Sequence, residues 1–217
     1  MEDFPELFTK FESDACASGR LAWHPTCVED GVPKRVQHAA DGASGLLVEP
    51  HGKTDYWRKT YYEPLLLKSD GHILAVTVQS PPKLVAETHL TLNVKSQFDQ
   101  AGLMVFVDDE HWLKTGLEYC DGKIYLGCVV TNGFSDWSTQ DWPSNKLSIR
   151  VYALPNDSCV VEAGSGDDWK MIRIAHLAMG DQKVKLGVYT CSPTAAGAST
   201  VFHSLSIKAT SGYDHKA

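Results

Sequence analysis

The chain is 217 residues long, 43% hydrophobic and 22% charged, with 27 Asp and Glu against 20 Lys and Arg, a formal net charge of -7. A chain of this size buries roughly 70% of the surface that its unfolded form exposes, so neither disulfide nor metal staples are required to hold a core. Its acidic balance offers no electrostatic footprint to a phosphate backbone or an anionic membrane surface, which excludes nucleic acid and membrane as partners.

The opening Met1-Glu2-Asp3-Phe4-Pro5-Glu6 is acidic and lacks the basic flank and apolar stretch of a secretory signal. The longest apolar run, Ile73-Leu74-Ala75-Val76, is far below the ~18 residues that cross a bilayer. A cytoplasmic protein is expected. One domain over 1–217 is expected as well, with 1–45 a partly irregular N-terminal arm packed on it.

Taken in chain order, Pro5–Phe11 reads as the one helical segment. Asp14–Gly45 is poor in strand signals and is expected to wrap the body as an irregular arm pinned by Trp23 and Pro25. Strands are expected at Leu46–Val48, Tyr56–Tyr62, His72–Gln79, Thr88–Ser96, Ala101–Val107, Trp112–Tyr119, Ile124–Thr131, Leu147–Tyr152, Ser158–Ala163, Lys170–Leu177, Lys183–Tyr189 and Ser199–Lys208, each rich in β-branched or aromatic residues between turn formers. Asp121-Gly122 marks a hairpin, because glycine tolerates the positive φ of the favoured turns. Leu65-Leu66-Leu67 is too short to type by periodicity, and Ala163–Gly166 and Ala195–Ser199 read as loops. Many short strands without intervening helical patterns argue for an all-β antiparallel sandwich rather than βαβ units.

Cys16, Cys27, Cys120, Cys128, Cys159 and Cys191 are scattered, without Cys-x-x-Cys spacing, and read as free thiols. No nucleophile elbow, phosphate-binding glycine loop or dinucleotide fingerprint occurs. The nine histidines show no metal-ligand spacing, and Asp108-Asp109-Glu110-His111 reads as an acidic hairpin turn; neither a metal nor a cofactor is expected.

Side chains alternate across a strand, so each segment divides into two faces. Leu90, Leu92 and Val94 oppose His89, Thr91, Asn93 and Lys95; Leu147, Ile149 and Val151 oppose Ser148, Arg150 and Tyr152. Trp112, Lys114, Gly116 and Glu118 share one face of their strand, and Trp57, Lys59 and Tyr61 share one face of theirs. Aromatic plates beside an acid, a base and amides suit polyhydroxylated ligands, whose C–H faces stack on rings while hydroxyls take directional bonds. The alternative is a solvated sheet surface with Lys114 paired to Glu118. The stretch Thr131–Ser138, continuing to Trp142, reads as a polar loop whose tryptophans either cap the sandwich edge or line a pocket. Glu118, Glu162, Asp136 and Glu63 are the carboxylates available for glycoside hydrolysis, but they supply no convincing acid and nucleophile pair.

Four segments carry a resemblance: Thr54-Asp55-Tyr56-Trp57-Arg58-Lys59-Thr60-Tyr61-Tyr62, Gln100–Val105, Asp109–Glu118 and Val129-Val130-Thr131-Asn132-Gly133-Phe134-Ser135-Asp136-Trp137-Ser138, with a weaker Trp23-His24-Pro25. Through them the chain resembles the regulation-of-enolase proteins, a concanavalin A-like lectin/glucanase family long catalogued as a domain of unknown function. The resemblance implies a two-sheet antiparallel jelly-roll sandwich with a partly open concave face, where members of the wider superfamily bind sugars. It also implies a cytoplasmic role connected with a glycolytic enzyme, and no established reaction. Tyr62-Glu63-Pro64 departs from the family pattern, which has glycine after the tyrosine pair.

The expected function is binding of a carbohydrate or similar small polar metabolite by Trp57, Lys59, Tyr61, Trp112, Lys114, Glu118, Asn132, Asp136, Trp137 and Arg150, in the regulation of carbon metabolism. Lys59, Lys114 and Arg150 together would make a basic pocket for anionic or phosphorylated sugars. Two alternatives stand beside this reading. One is an enzyme, a glycan-active hydrolase or lyase or a small-molecule isomerase, with Lys114, Glu118 and His203 as acid/base groups. The other is a protein-interaction module that engages a metabolic enzyme through a sheet edge or the Trp137–Trp142 loop.

Overall fold

The period-two patterning resolves into antiparallel strands stacked as two large sheets. The computed structural model describes residues 4–11, 19–24, 33–38, 45–79, 83–165 and 168–215; Pro25, Cys16 and Cys27, singled out above, lie outside the described residues. In chain order the strands are β1 (Leu7–Thr9), β2 (Ala22–His24), β3 (Arg35–His38), β4 (Leu46–Glu49), β5 (Tyr56–Arg58), β6 (Leu67–Ser69), β7 (His72–Gln79), β8 (Leu84–Asn93) and β9 (Gln100–Asp108). They continue as β10 (His111–Cys120), β11 (Lys123–Asn132), β12 (Phe134–Asp141), β13 (Lys146–Leu154), β14 (Ser158–Ser165), β15 (Asp168–His176), β16 (Lys183–Cys191) and β17 (Ser199–Ala209).

One sheet runs β15-β14-β13-β8-β17-β4-β3, with β1 also paired to β17; the other runs β12-β11-β10-β9-β16-β7-β2. The fold is thus an all-β antiparallel sandwich. Its main core lies between the sheets, where Leu90 and Leu92 of β8 and Leu147, Ile149 and Val151 of β13 meet Leu103 and Val105 of β9 and Leu113 and Leu117 of β10. These are the apolar rows that alternation assigns to the inside.

The central strands of the seven-stranded sheet, β9, β10 and β16, are largely buried on both faces. The outer side of this sheet carries a second apolar cluster of Tyr56, Ile73, Ala75, Met104, Phe106, Trp112, Val129, Tyr189 and Cys191. What covers that side is a small hairpin, β5 paired with β6, hereafter the flap. Tyr56 anchors the flap: its hydroxyl donates to the Gly71 carbonyl at 2.9 Å and its ring meets Phe106 and Trp112 edge to face.

Several expectations are corrected. Pro5–Phe11 is not helical; Leu7–Thr9 pairs with Leu205–Ile207 of β17, because burying Leu7 and Phe11 and satisfying an edge ladder outweigh weak local helix preference. The N-terminal arm contributes β2 and β3 as edge strands. Tyr56–Tyr62 is extended only to Arg58, because Lys59 and Tyr61 take positive φ (65° and 75°), so the chain turns and the alternation that grouped Trp57, Lys59 and Tyr61 is lost. Thr131–Ser138 is not a loop: Gly133, at φ 74°, turns β11 into β12. Phe134–Asp141 reads as polar because it is an edge strand with little core to meet. Asp109 and Glu110 do form the turn between β9 and β10. Cys120, Cys128, Cys159 and Cys191 are buried free thiols.

Candidate functional site

Strand β10 sets the floor of a cleft of about 910 Å³ on the outer face of the seven-stranded sheet, walled by the flap on one side and β12 on the other. Alternation puts Trp112, Lys114, Gly116 and Glu118 on this face while Leu113 and Leu117 enter the main core. Lys114 is 3% exposed and Glu118 8%.

Charged groups this deep need partners. Lys114 Nζ lies 2.8 Å from Asp55 Oδ1 and donates to the Tyr56 carbonyl at 2.7 Å, so the sheet floor grips the start of the flap. Asp55 Oδ1 also accepts from the Tyr56 backbone N–H at 2.7 Å and from Gln100 Nε2 at 3.3 Å. Burial opposes the charge on Lys114, but Asp55, joined by Cys191 and Glu118, outweighs it and holds the ammonium above its ordinary value. The pairing of Lys114 with Glu118 weighed above is replaced by Lys114 with Asp55.

Glu118 behaves differently. Burial pushes its carboxyl up to about 7 despite the attraction of Lys114, and the Trp137 indole N–H donates to it. Gly127 of β11 makes room for this arrangement: a Cβ there would lie 3.2 Å from Glu118 Oε2 and 3.4 Å from Trp137 Nε1. A carboxyl that titrates near neutrality can donate or accept, which is the range used by general acids and bases. Cys120 also lines the cleft, but burial raises its thiol to about 11, so it is not a thiolate nucleophile.

The walls are aromatic. Trp57 stands perpendicular to Trp137 (centroids 6.4 Å apart) and to Tyr62 (5.8 Å), and Tyr62 meets Tyr61 edge to face at 5.2 Å. Tyr61 is 90% exposed and Trp137 38%. Ser135 of β12 accepts from the Arg58 backbone N–H at 2.9 Å and shares a 2.8 Å hydrogen bond with Thr131, which fixes the flap against β12.

Of the residues expected at the site, the cleft brings together Trp57, Tyr61, Lys114, Glu118, Asp136 and Trp137. Trp112 sits behind them, fully buried, with Lys114 Nζ 5.7 Å from its ring centroid. Lys59 lies over the Phe134 ring at 4.8 Å and does not line the cleft. Asn132 is a structural tie, donating to the His176 carbonyl and accepting from the Ala178 N–H.

Arg150 and His203 belong to the other sheet. Arg150 is ion-paired with Glu162 at 2.5 Å on β14, and His203 is hydrogen-bonded to Thr91 at 2.9 Å. The basic pocket of Lys59, Lys114 and Arg150 therefore does not form, because the expectation had no information on which sheet β13 joins. His203 instead borders a separate depression of about 850 Å³ with His89, Ser148 and Trp142.

Sequence reasoning missed Asp55, Tyr62, Asp121 and Ser135. Asp55 was findable in principle, since a lysine placed mid-strand on a sheet face calls for a carboxylate close by. Among the described residues no group of three or more His, Cys, Asp or Glu side chains is placed to hold a metal ion, and no helix is long and apolar enough to cross a membrane.

Comparison with known proteins follows the same lines. The family model described as protein of unknown function (DUF1349) matches residues 32–210. Regulation of enolase protein 1 of Saccharomyces cerevisiae is 33% identical over 172 residues, 78% of this chain and 84% of that protein. A crystal structure of a functionally unknown protein from Saccharomyces cerevisiae superposes with a TM-score of 0.75 at 30% identity, covering 89% of this chain and 98% of that one. The GH43 BlXynB protein of Bacillus licheniformis shares the fold, with a TM-score of 0.61 at 14% identity over 77% of this chain and 33% of that one. Matched over most of its length by the family model and by a yeast relative, the chain belongs to the DUF1349 family and is a relative of yeast Regulation of enolase protein 1.

Proposed function

We propose that the cleft between the flap and β12 binds a carbohydrate or a similar polyhydroxylated metabolite. One observation carries the reading: an aromatic corner of Trp57, Trp137 and Tyr62 stands over a buried polar floor of Lys114, Asp55 and Glu118. Rings offer faces to sugar C–H groups, and the floor offers hydrogen bonds of fixed direction. The name of the yeast relative, Regulation of enolase protein 1, supports placing such binding in the regulation of carbon metabolism.

Tryptophan fluorescence reports on the site directly, because Trp57 and Trp137 form its walls. Saturable quenching by mono- or disaccharides that disappears in Trp137→Ala supports the reading. Absence of quenching by any sugar at millimolar concentration overturns it.

A second reading rests on the neutral-range carboxyl of Glu118: the cleft acts on its ligand with Glu118 as proton donor or acceptor beside Lys114. Loss of turnover in Glu118→Gln with retained ligand affinity supports catalysis; unchanged turnover on a confirmed substrate rejects it.

A further inference from the structure

We infer that the cleft selects uncharged sugars and rejects sugar phosphates and sugar acids. This rests on the carbohydrate reading above and deepens it. Among the described residues lining the cleft, the acids are Asp55, Glu118, Asp121 and Asp136, and the cation is Lys114 alone.

That cation is already committed. Lys114 Nζ spends two of its three donors on Asp55 and on the Tyr56 carbonyl. Arg173 of β15, on the other sheet, reaches Asp136 at 3.2 Å and Ser138 at 3.0 Å, so its charge is answered too. Arg58 on the flap is ion-paired with Glu110, and Lys59 stacks on Phe134. A phosphate or carboxylate entering the cleft meets a lysine whose charge is already answered by Asp55, and faces Asp121, which has no ion pair among the described residues. Helix N-termini, the other common anion site, do not occur among the described residues.

An uncharged sugar meets none of these obstacles. Carboxylates and a carboxyl that holds its proton near neutrality offer acceptors and a donor to hydroxyls, and the Trp57–Trp137 corner offers its faces. The open position at Gly127 leaves the Glu118 and Trp137 polar atoms in place rather than displaced by a side chain.

The test is calorimetric titration of the wild-type protein at pH 7.5 with glucose, xylose and cellobiose against glucose 6-phosphate and glucuronate. Binding of at least one neutral sugar, with its charged counterpart at least about ten-fold weaker and the gap narrowing as salt is raised, supports the inference. Asp121→Asn then removes a cleft acid that no cation answers among the described residues, and a several-fold gain for glucose 6-phosphate with no gain for glucose is the expected result. Asp121 is exposed in the turn between β10 and β11 at a positive φ that asparagine also adopts, so the variant keeps its fold. Glucose 6-phosphate or glucuronate binding as tightly as the neutral sugars overturns the inference and leaves the carbohydrate reading intact. Binding of neither class overturns both.

Discussion

Lys114 and Asp55, 59 positions apart in the chain, meet at 2.8 Å beneath the flap, and through them the seven-stranded sheet holds the segment that covers it. Removing one partner of a buried pair strands the other charge, which costs about 3–5 kcal/mol. Lys114→Met is therefore expected to lower unfolding free energy by that order in denaturant titration. Adding Asp55→Asn to Lys114→Met should restore part of the loss, and a double-mutant cycle without coupling between the two positions would contradict the pair's role.

Two opposing titrations lie close together. Burial, assisted by His51, lowers His72 to about 4, so between roughly 6.5 and 4 the unfolded chain takes up a proton that the folded chain refuses, and this part of the stability is lost as pH falls. Burial likewise lowers His24 to about 4, in the same direction. Glu118 runs the other way: raised to about 7 from 4.5, it keeps a proton that the unfolded chain releases, and stability is lost as pH rises through that window. Each of His72 and Glu118 is worth on the order of 3 kcal/mol at its unfavourable limit. Chemical denaturation at pH 5 and pH 8 should show Glu118→Gln losing stability on acidification more steeply than wild type. His72→Gln should show the reverse.

Glycines in β9, β10 and β11 separate folding from binding. Gly102, Gly116 and Gly127 stand in register across the three strands. A Cβ on Gly116 would come within 2.1 Å of the Ala101 carbonyl oxygen and 2.6 Å of Gly102 Cα, both backbone, so Gly116→Ala must force the strands apart and is expected to lower the melting temperature sharply or to abolish folding. A Cβ on Gly127 meets only side-chain atoms, at 3.2 Å or more. Gly127→Ala should fold, with a melting temperature within a few degrees of wild type, and bind ligand several-fold more weakly.

Much of this was legible in the sequence because the main core obeys one rule. The rows of β8, β10 and β13 alternate cleanly, so their inner and outer residues could be separated before any fold was known. Grouping Lys114 with Glu118 followed from that period alone. What was not legible depended on long-range order. Whether β13 flanks β10 or belongs to the opposite sheet is fixed by sheet topology, and with it the placement of Arg150 and His203. The flap was obscured by positive φ at Lys59 and Tyr61, which few non-glycine side chains announce. Strand β12 was obscured by its edge position, where a strand carries polar residues on both faces.

Trp137 should carry ligand affinity with little cost to folding. It is partly exposed on an edge strand, whereas the main core lies on the other side of its sheet. Stacking on an aromatic is worth roughly 0.5–1.5 kcal/mol beyond area burial. Trp137→Ala is expected to weaken sugar binding by about ten-fold in calorimetry and to shift the denaturant midpoint only slightly. Tyr56→Ala, by contrast, removes a buried anchor of the flap and should reduce both.

The two apolar clusters on opposite faces of the seven-stranded sheet divide the molecule's labour between scaffold and cover. The inner cluster binds sheet to sheet, while the outer one carries the flap. Replacing the tip of the flap between Trp57 and Leu67, with Asp55 and Tyr56 kept, by a hairpin of different length or side chains would therefore remodel the cleft wall on an unchanged sandwich. A sheet that leaves one wall of its cleft to a single short segment can change that wall without rebuilding its core.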